Sequence, residues 1–398
     1  MSTVPNPLPA SFLRGGTSKG IFINAKHLPA DRAAWAPIFL RIMGSPDPEH
    51  GRQLDGMGGG VSSLSKVCVV GAPTPEQKGE VDVQYTFCQV GIRDATVDYS
   101  GNCGNLSSMI GPFAVDTGLV SRTNDLKLTH DDAKGITRAT VRTFNTNTQK
   151  RIDCTFPVSV SYPGLGPERL SAQLDLPQTS IAGVPGQAST ITLDFMAPGG
   201  ARTGKLLPTG NSAEDLTLSD TSLPSVRVSL VDATNPTVFV AACTLSKTLS
   251  APADQPIDYA SLGVLEVLEL IRSAGARAMA LDPTAQAQPK IAVLSAPVPG
   301  EASDAHIVVH ALSMGVLHRA VPMTVGLCLG VAANIEGTVA HRIVNSSLQS
   351  SAPNTKIVRI RHPSGMVDVG AEFDADGEVT SAKVVRTGRR LMTGEVWW

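Results

Sequence analysis

Two stretches of the chain alternate apolar and polar residues, or run apolar, around a break of Gly, Asn or Pro. SFLRGGTSKGIFIN from Ser11 and VRVSLVDATNPTVFVAA from Val226 each predict strand–turn–strand. KVCVVG (Lys66–Gly71) and KIAVLS (Lys290–Ser295) are short β-branched runs suited to buried strands. Asn105–Thr117 and Thr324–Glu336 are rich in apolar and small residues and stop at Gly118 and Gly337, which predicts two helices. Ser261–Gly275 carries Leu262, Leu265, Leu268 and Ile271 at helical spacing and predicts another. The Pro/Gly-rich stretch Pro177–Gly186 reads as a crossing between domains, giving 1–185 and 186–386.

The order of these elements repeats. Ser11–Ala25 aligns with Val228–Ala242 at an offset of 217, Ser65–Pro73 with Pro289–Pro297 at 224, and Ile110–Val120 with Leu329–Val339 at 219. Each match has few identities, but shared order at near-equal offsets points to an internal duplication. The expected fold class is therefore α+β: two pseudo-symmetric domains of many short strands, each around one central helix, with a ligand cleft between them.

Composition narrows the function classes. The 398 residues suit two domains at roughly 100–200 residues each. With 42% hydrophobic residues, 17% charged and a net charge of −2, sizeable cores are affordable and no polyanionic partner is implied. No Lys/Arg block or basic stripe suggests nucleic acid. The first sixteen residues lack a signal-peptide apolar run, and no run approaches the ~18 residues of a membrane span. Six scattered cysteines without a CxxC pattern, four of them among apolar neighbours, suggest a reducing, cytoplasmic setting and no structural zinc. Oligomeric state is left open, a homo-oligomer included.

Three glycine-rich turns are candidates for chemistry. In DYSGNCGNLSSM (Asp98–Met109), Gly101 and Gly104 flank Asn102 and Cys103, and a helix begins near Asn105. Amides there suit a carboxylate, and their field favours thiolate, so Cys103 reads as a proton donor or acceptor, or else as a buried cysteine in an Asn-capped turn. In QLDGMGGGVSSLSK (Gln53–Lys66), Gly60, Ser62, Ser63 and Ser65 expose polar groups ahead of Lys66, which is either a general base pressed against apolar surface or a lysine snorkelling at a strand end. In LRGGTSKG, Arg14, Thr17, Ser18 and Lys19 suit a carboxylate, or form a hairpin with solvated charges. In the second half, Lys290, Met314, His318 and Thr324 are further substrate-binding candidates, with His318 either orienting a carboxylate or filling a core gap. His306, His310 and His341 read as structural. No G-x-S-x-G, HExxH, phosphate loop or dinucleotide fingerprint is present.

RGGTSKG, MGSPDP (Met43–Pro48), QLDGMGGGVSSLSK, DYSGNCGN, GKLLPTGN (Gly204–Asn211), NPTVFV, PKIAVLS and RRLMTGEV together resemble the PrpF family of isomerases over essentially the whole chain. The resemblance implies a diaminopimelate-epimerase-like fold, each domain a curved sheet around a central helix, with the C-terminal strand in 387–398 returning to the first domain. Diaminopimelate epimerase opposes two cysteines. Here the duplication sets Pro322 opposite Cys103, so two-thiol racemisation is not expected. The acid/base pair implied by the family maps onto Lys66 and Cys103. The implied reaction is cis–trans isomerisation of an unsaturated tricarboxylate, aconitate or 2-methylaconitate, by proton abstraction and return at an allylic carbon, without metal or cofactor. Arg14 and the turn amides would stabilise the developing charge. The alternatives are 4-oxalomesaconate tautomerisation or methylitaconate double-bond migration, or a non-catalytic tricarboxylate-binding protein. Simple binding needs no thiol, so the presence of both Lys66 and Cys103 argues against the last.

Overall fold

The structure is a computed structural model and describes residues 4–99, 101–120, 126–161, 169–252, 255–285, 288–298, 304–313, 315–318, 320–347 and 357–398. The chain divides into two compact units, Met1–Asp194 with Val385–Trp398, and Phe195–Val384. Both mix strands and helices. Among the described residues, no helix is long and apolar enough to cross a membrane.

In the first unit, strands β1 (Leu8–Gly15) and β2 (Ser18–Asn24) form an antiparallel hairpin. Gly16 turns it at φ 52°, a conformation that glycine adopts without the steric cost of a Cβ. Helix α1 (Trp35–Met43) follows, with Trp35, Ile38, Phe39, Ile42 and Met43 forming one buried stripe. Strand β3 (Lys66–Gly71) then runs parallel to β2, and β4 (Val83–Val90) antiparallel to β3. The C-terminal strand Gly388–Val396 pairs with the other edge of β1.

Strand β3 is buried along its whole length because the sheet is covered on both faces. Ile21, Ile23, Val67, Val69 and Cys88 pack with α1. On the opposite face, Phe22 meets the Phe113 ring at 5.7 Å. Phe113 belongs to the helical segment predicted over Asn105–Thr117, which forms as two helices, α2 (Gly104–Ser107) and α3 (Ile110–Asp116). Pro112 explains the break: it has no N–H for the turn before it, and its ring would strike the carbonyl four residues back. α3 is the central helix of this unit, packing against β5 (Ile136–Asn145) and β6 (Lys150–Ser161).

In the second unit, β7 (Val226–Ala233) and β8 (Asn235–Ala241) form an antiparallel hairpin. β9 (Lys290–Ser295) runs parallel to β8, and β10 (Ile307–Ser313) antiparallel to β9. Helix α4 (Leu262–Ala278) buries Val264, Leu268 and Ile271 in a core with Leu230, Val238 and Ile291. α5 (Met323–Ala332) is buried from Val325 to its last residue and packs against β7 and β8. A helix with no polar face belongs in a core, as its sequence predicts.

Candidate functional site

The site in the first unit is built on strand parity. Residues paired across neighbouring strands share a face, and successive residues alternate. Gly15 pairs with Ser18, and Arg14 pairs with Lys19. Ser18 lies beside Cys103, whose thiol reaches Ser18 Oγ at 3.8 Å. Ser18 therefore faces the central helix, and Arg14 and Lys19 occupy the other face of the hairpin. Thr17, in the turn, accepts a hydrogen bond from Asn105 Nδ2 at 3.1 Å. The structure thus brings Thr17 and Ser18 to Cys103 and Asn105, and turns Arg14 and Lys19 away.

Lys66 opens β3 opposite Gln89 and shares the central-helix face with Cys68 and Phe87. It is only 8% exposed, with Nζ donating to Gln89 Oε1 at 2.5 Å and lying 5.0 Å from the Phe87 ring centroid. No carboxylate pairs with it among the described residues, so the amine is not locked into an ion pair. Gln89 Nε2 in turn donates to the Ser65 carbonyl at 3.0 Å and the Ser62 carbonyl at 3.1 Å. The glycine-rich loop is closed by the buried Gln53. Its Oε1 accepts from Gly60 N at 3.0 Å and from Ser65 Oγ at 2.6 Å, and its Nε2 donates to Ser45 Oγ at 2.7 Å. Gly60 and Ser65 therefore fix the loop's shape. Ser62 is exposed and Ser63 half-buried.

Cys103 is half-buried just before α2. Its N–H donates to Asn102 Oδ1 at 2.8 Å, and the Tyr85 hydroxyl, 3.2 Å from the same oxygen, steadies Asn102. Tyr85 also meets Ser107 Oγ at 2.8 Å, and burial pushes its pKa well up, so it stays a neutral hydrogen-bonding group. Gly104 begins α2 beside Cys103. Two further groups bear on the thiol. Burial drives the Cys68 thiol far above its ordinary pKa; the charge of Cys103 pushes it further and that of Lys66 opposes, so both groups act on Cys68. Arg386 is only 8% exposed; burial lowers its pKa to about 10, and the charge of Cys103 pulls it back up. A cation so placed attracts negative charge on the sulfur or on a bound carboxylate.

Sequence reading missed Arg386, Gln89 and Gln53. Arg386 and Gln89 act through partners distant in sequence, so nothing local marks them, whereas Gln53 opens the glycine-rich motif itself and shows its role only through its bonds to Gly60 and Ser65. The second unit holds Lys290, His318 and Thr324, while Met314 lies outside the described residues. Partial burial and then Lys290 lower the pKa of His318, so these two are neighbours. Thr324 is exposed at the start of α5, its carbonyl accepting from Thr234 Oγ1 at 3.0 Å. Among the described residues, no three His, Cys, Asp or Glu side chains gather as a metal would require.

A buried lysine, a half-buried thiol and a buried guanidinium can move protons and hold an anion. The family model described as PrpF protein matches residues 6–398. The chain belongs to the PrpF family. Among PrpF relatives, the chain is 34% identical over 408 residues to 3-methylitaconate isomerase of Eubacterium barkeri, covering 98% of this chain and 97% of that protein. It is 35% identical over 421 residues to 2-methyl-aconitate isomerase of Cupriavidus necator, covering 100% and 98%. The crystal structure of methylitaconate-delta-isomerase superposes with a TM-score of 0.79 at 33% identity, covering 99% of this chain and 96% of the other. These relatives bear out the expectation of a PrpF-type isomerase.

Proposed function

We propose that this protein isomerises an unsaturated tricarboxylate, aconitate or 2-methylaconitate, by moving a proton at an allylic carbon with Lys66 and Cys103. The observation that carries this is a common face: Lys66 shares the face of Cys68 and Phe22 by strand parity, and Ser18, on that same face of β2, lies 3.8 Å from the Cys103 thiol. One group takes the proton, breaking the C–H bond, and the electron pair spreads into the adjacent C=C and carboxylate as a dienolate. Rotation about the former double bond follows. The other group returns a proton, re-forming a C–H bond and the C=C in the opposite geometry. Lys66 and Cys103 exchange roles in the reverse direction.

Charge builds on carboxylate oxygens during this step, and preorganised donors there are usually the largest catalytic contribution. Thr17, Ser18, Asn102, Asn105 and the amide of Gly104 lie around Cys103, and Arg386 supplies a buried positive charge near it. Gln89 holds the Lys66 amine in place. Cys103 works as an acid/base, because no imidazole hydrogen-bonds its thiol as a nucleophilic relay would require, among the described residues.

We further infer that the two units repeat one plan. In both, an antiparallel hairpin is followed by a parallel and then an antiparallel partner. Val67 pairs with Ile21 as Ile291 pairs with Val238, so Lys66 and Lys290 open corresponding strands. That correspondence and the matching registers support a diaminopimelate-epimerase-like duplication.

The test is proton NMR of cis-aconitate and 2-methylaconitate in deuterated water with wild-type enzyme and Cys103→Ser. Wild type should exchange a carbon-bound proton and interconvert the isomers. Cys103→Ser should bind the acid while losing about 10²–10⁴ in rate. No exchange by wild type with either acid, or a covalent adduct on Cys103 in quenched turnover, would overturn the assignment.

A further inference from the structure

Arg14 pairs with Lys19 on one side and with Arg389 of the C-terminal strand on the other. Three cations therefore stand on one rung of the sheet, on the face opposite Ser18 and Cys103. Like charges directly opposite each other across strands repel. The repulsion registers in Arg14, whose pKa is lowered first by burial and then by Arg389.

The fold offers this rung little compensation. Arg14 Nη1 donates to the Gly16 carbonyl at 2.8 Å and to the Thr387 carbonyl and hydroxyl at 3.2 and 3.1 Å, all neutral acceptors. The amine of Lys19 lies 5.7 Å from the Phe12 ring centroid. No ion pair joins Arg14, Lys19 or Arg389 to a carboxylate among the described residues. Arg390 shows the contrast. It pairs with Leu13 and so takes the helix face, where it holds Asp116 through two bonds of 2.6 and 2.8 Å.

Beside Arg14 and Arg389 opens a cavity of about 590 Å³. That volume lies within the usual range for small-ligand pockets, about 300–1,000 Å³. Gln187 also lines it, and Asp175 is the only carboxylate among its lining residues. Arg14 and Arg389 face that one carboxylate, and the third lining cation, Arg390, is already held by Asp116, so positive charge is in excess.

We propose that this cavity is a second anion site, separate from the Cys103 site, that takes a small oxyanion with several negative oxygens, a polycarboxylate or inorganic phosphate. Arg14 and Arg389 would grip it, Gln187 would donate an amide hydrogen bond, and Lys19 would add to the field. The bound anion would relieve the repulsion along the rung.

Calorimetric titration of the full-length protein with tricarballylate and, separately, with inorganic phosphate at matched ionic strength tests this. Tricarballylate has no double bond to isomerise. Arg389→Gln should weaken binding of at least one of the two anions 10-fold or more, and Asp175→Asn should tighten the same anion severalfold. Whichever anion responds identifies the source. Because the Arg389 side chain makes no hydrogen bond or ion pair among the described residues, its removal reads out ligand binding, with thermal melting as the check on folding. Both anions binding identically to wild type, Arg389→Gln and Asp175→Asn would overturn the proposal.

Discussion

Replacing Gly15 with alanine should separate the hairpin turn from the thiol it serves. A Cβ at Gly15 would stand 2.4 Å from the Asn105 carbonyl oxygen, 2.9 Å from Ser108 Oγ and 3.1 Å from Met109 Cγ. Ordinary contact begins near 3.4 Å, so the turn must retreat from α2 by about 1 Å, and the nearest obstacle is backbone that cannot rotate aside. Overpacking of this kind costs about 1–3 kcal/mol of stability. Thr17 and Ser18 move with the turn, loosening the Thr17–Asn105 hydrogen bond and the 3.8 Å approach of Ser18 to Cys103. A misplacement of ~1 Å at a reacting centre costs about 10²-fold in rate, equivalent to ~2.7 kcal/mol. Urea unfolding monitors the first effect, and NMR-detected turnover under fully folded conditions the second. Gly101→Ala is the control, because a Cβ there meets nothing within 4 Å; its stability should stay within about 0.5 kcal/mol of wild type. A Gly15→Ala enzyme with wild-type rate would refute the coupling of the turn to the chemistry. Unchanged stability would refute the packing argument itself.

Arg386→Gln should slow turnover by at least 10-fold and slow alkylation of Cys103 at pH 7.5, since the buried cation near the sulfur is gone; a purely structural arginine would leave the alkylation rate of the folded variant unchanged. Iodoacetamide at that pH should modify Cys103 and Cys243 first. Cys68, Cys88, Cys154 and Cys328 are buried with thiol pKa values pushed up, Cys328 to about 12, and peptide mass mapping of native protein that finds them labelled equally fast would contradict the burial described.

Most of the elements, and the turns that carry the proposed acid/base pair, follow from local pattern alone. The β-branched runs at Lys66 and Lys290 form buried strands because such residues pack well on a pleated surface covered on both sides. The apolar run around Thr324 forms a buried helix because it has no polar face to leave in water. Cys103 and Lys66 were legible because each is tied to a local turn motif. Even the parity of Arg14 was available: a two-residue turn at Gly16 and Thr17 already sets Arg14 beside Lys19 and opposite in face to Ser18. Helix α1 escaped the reading. Its stripe from Trp35 to Met43 is short and interrupted by Pro37, so its period is plain only once the face it covers is known.

Which sheet face meets the central helix, and with it which charges join Cys103, is set by strand pairing and not by local pattern. Arg14, prominent in its motif, went to the other face, while the unremarkable Arg386 came to the thiol from the far end of the chain. Gln89 became the support of the Lys66 amine from a neighbouring strand, while Gln53 ties the glycine-rich loop to itself. Local pattern sets strand and helix through backbone geometry and side-chain period. The electrostatic environment of a site depends on distances between residues far apart in sequence, and those exist only after the sheet has paired and its two faces have been covered.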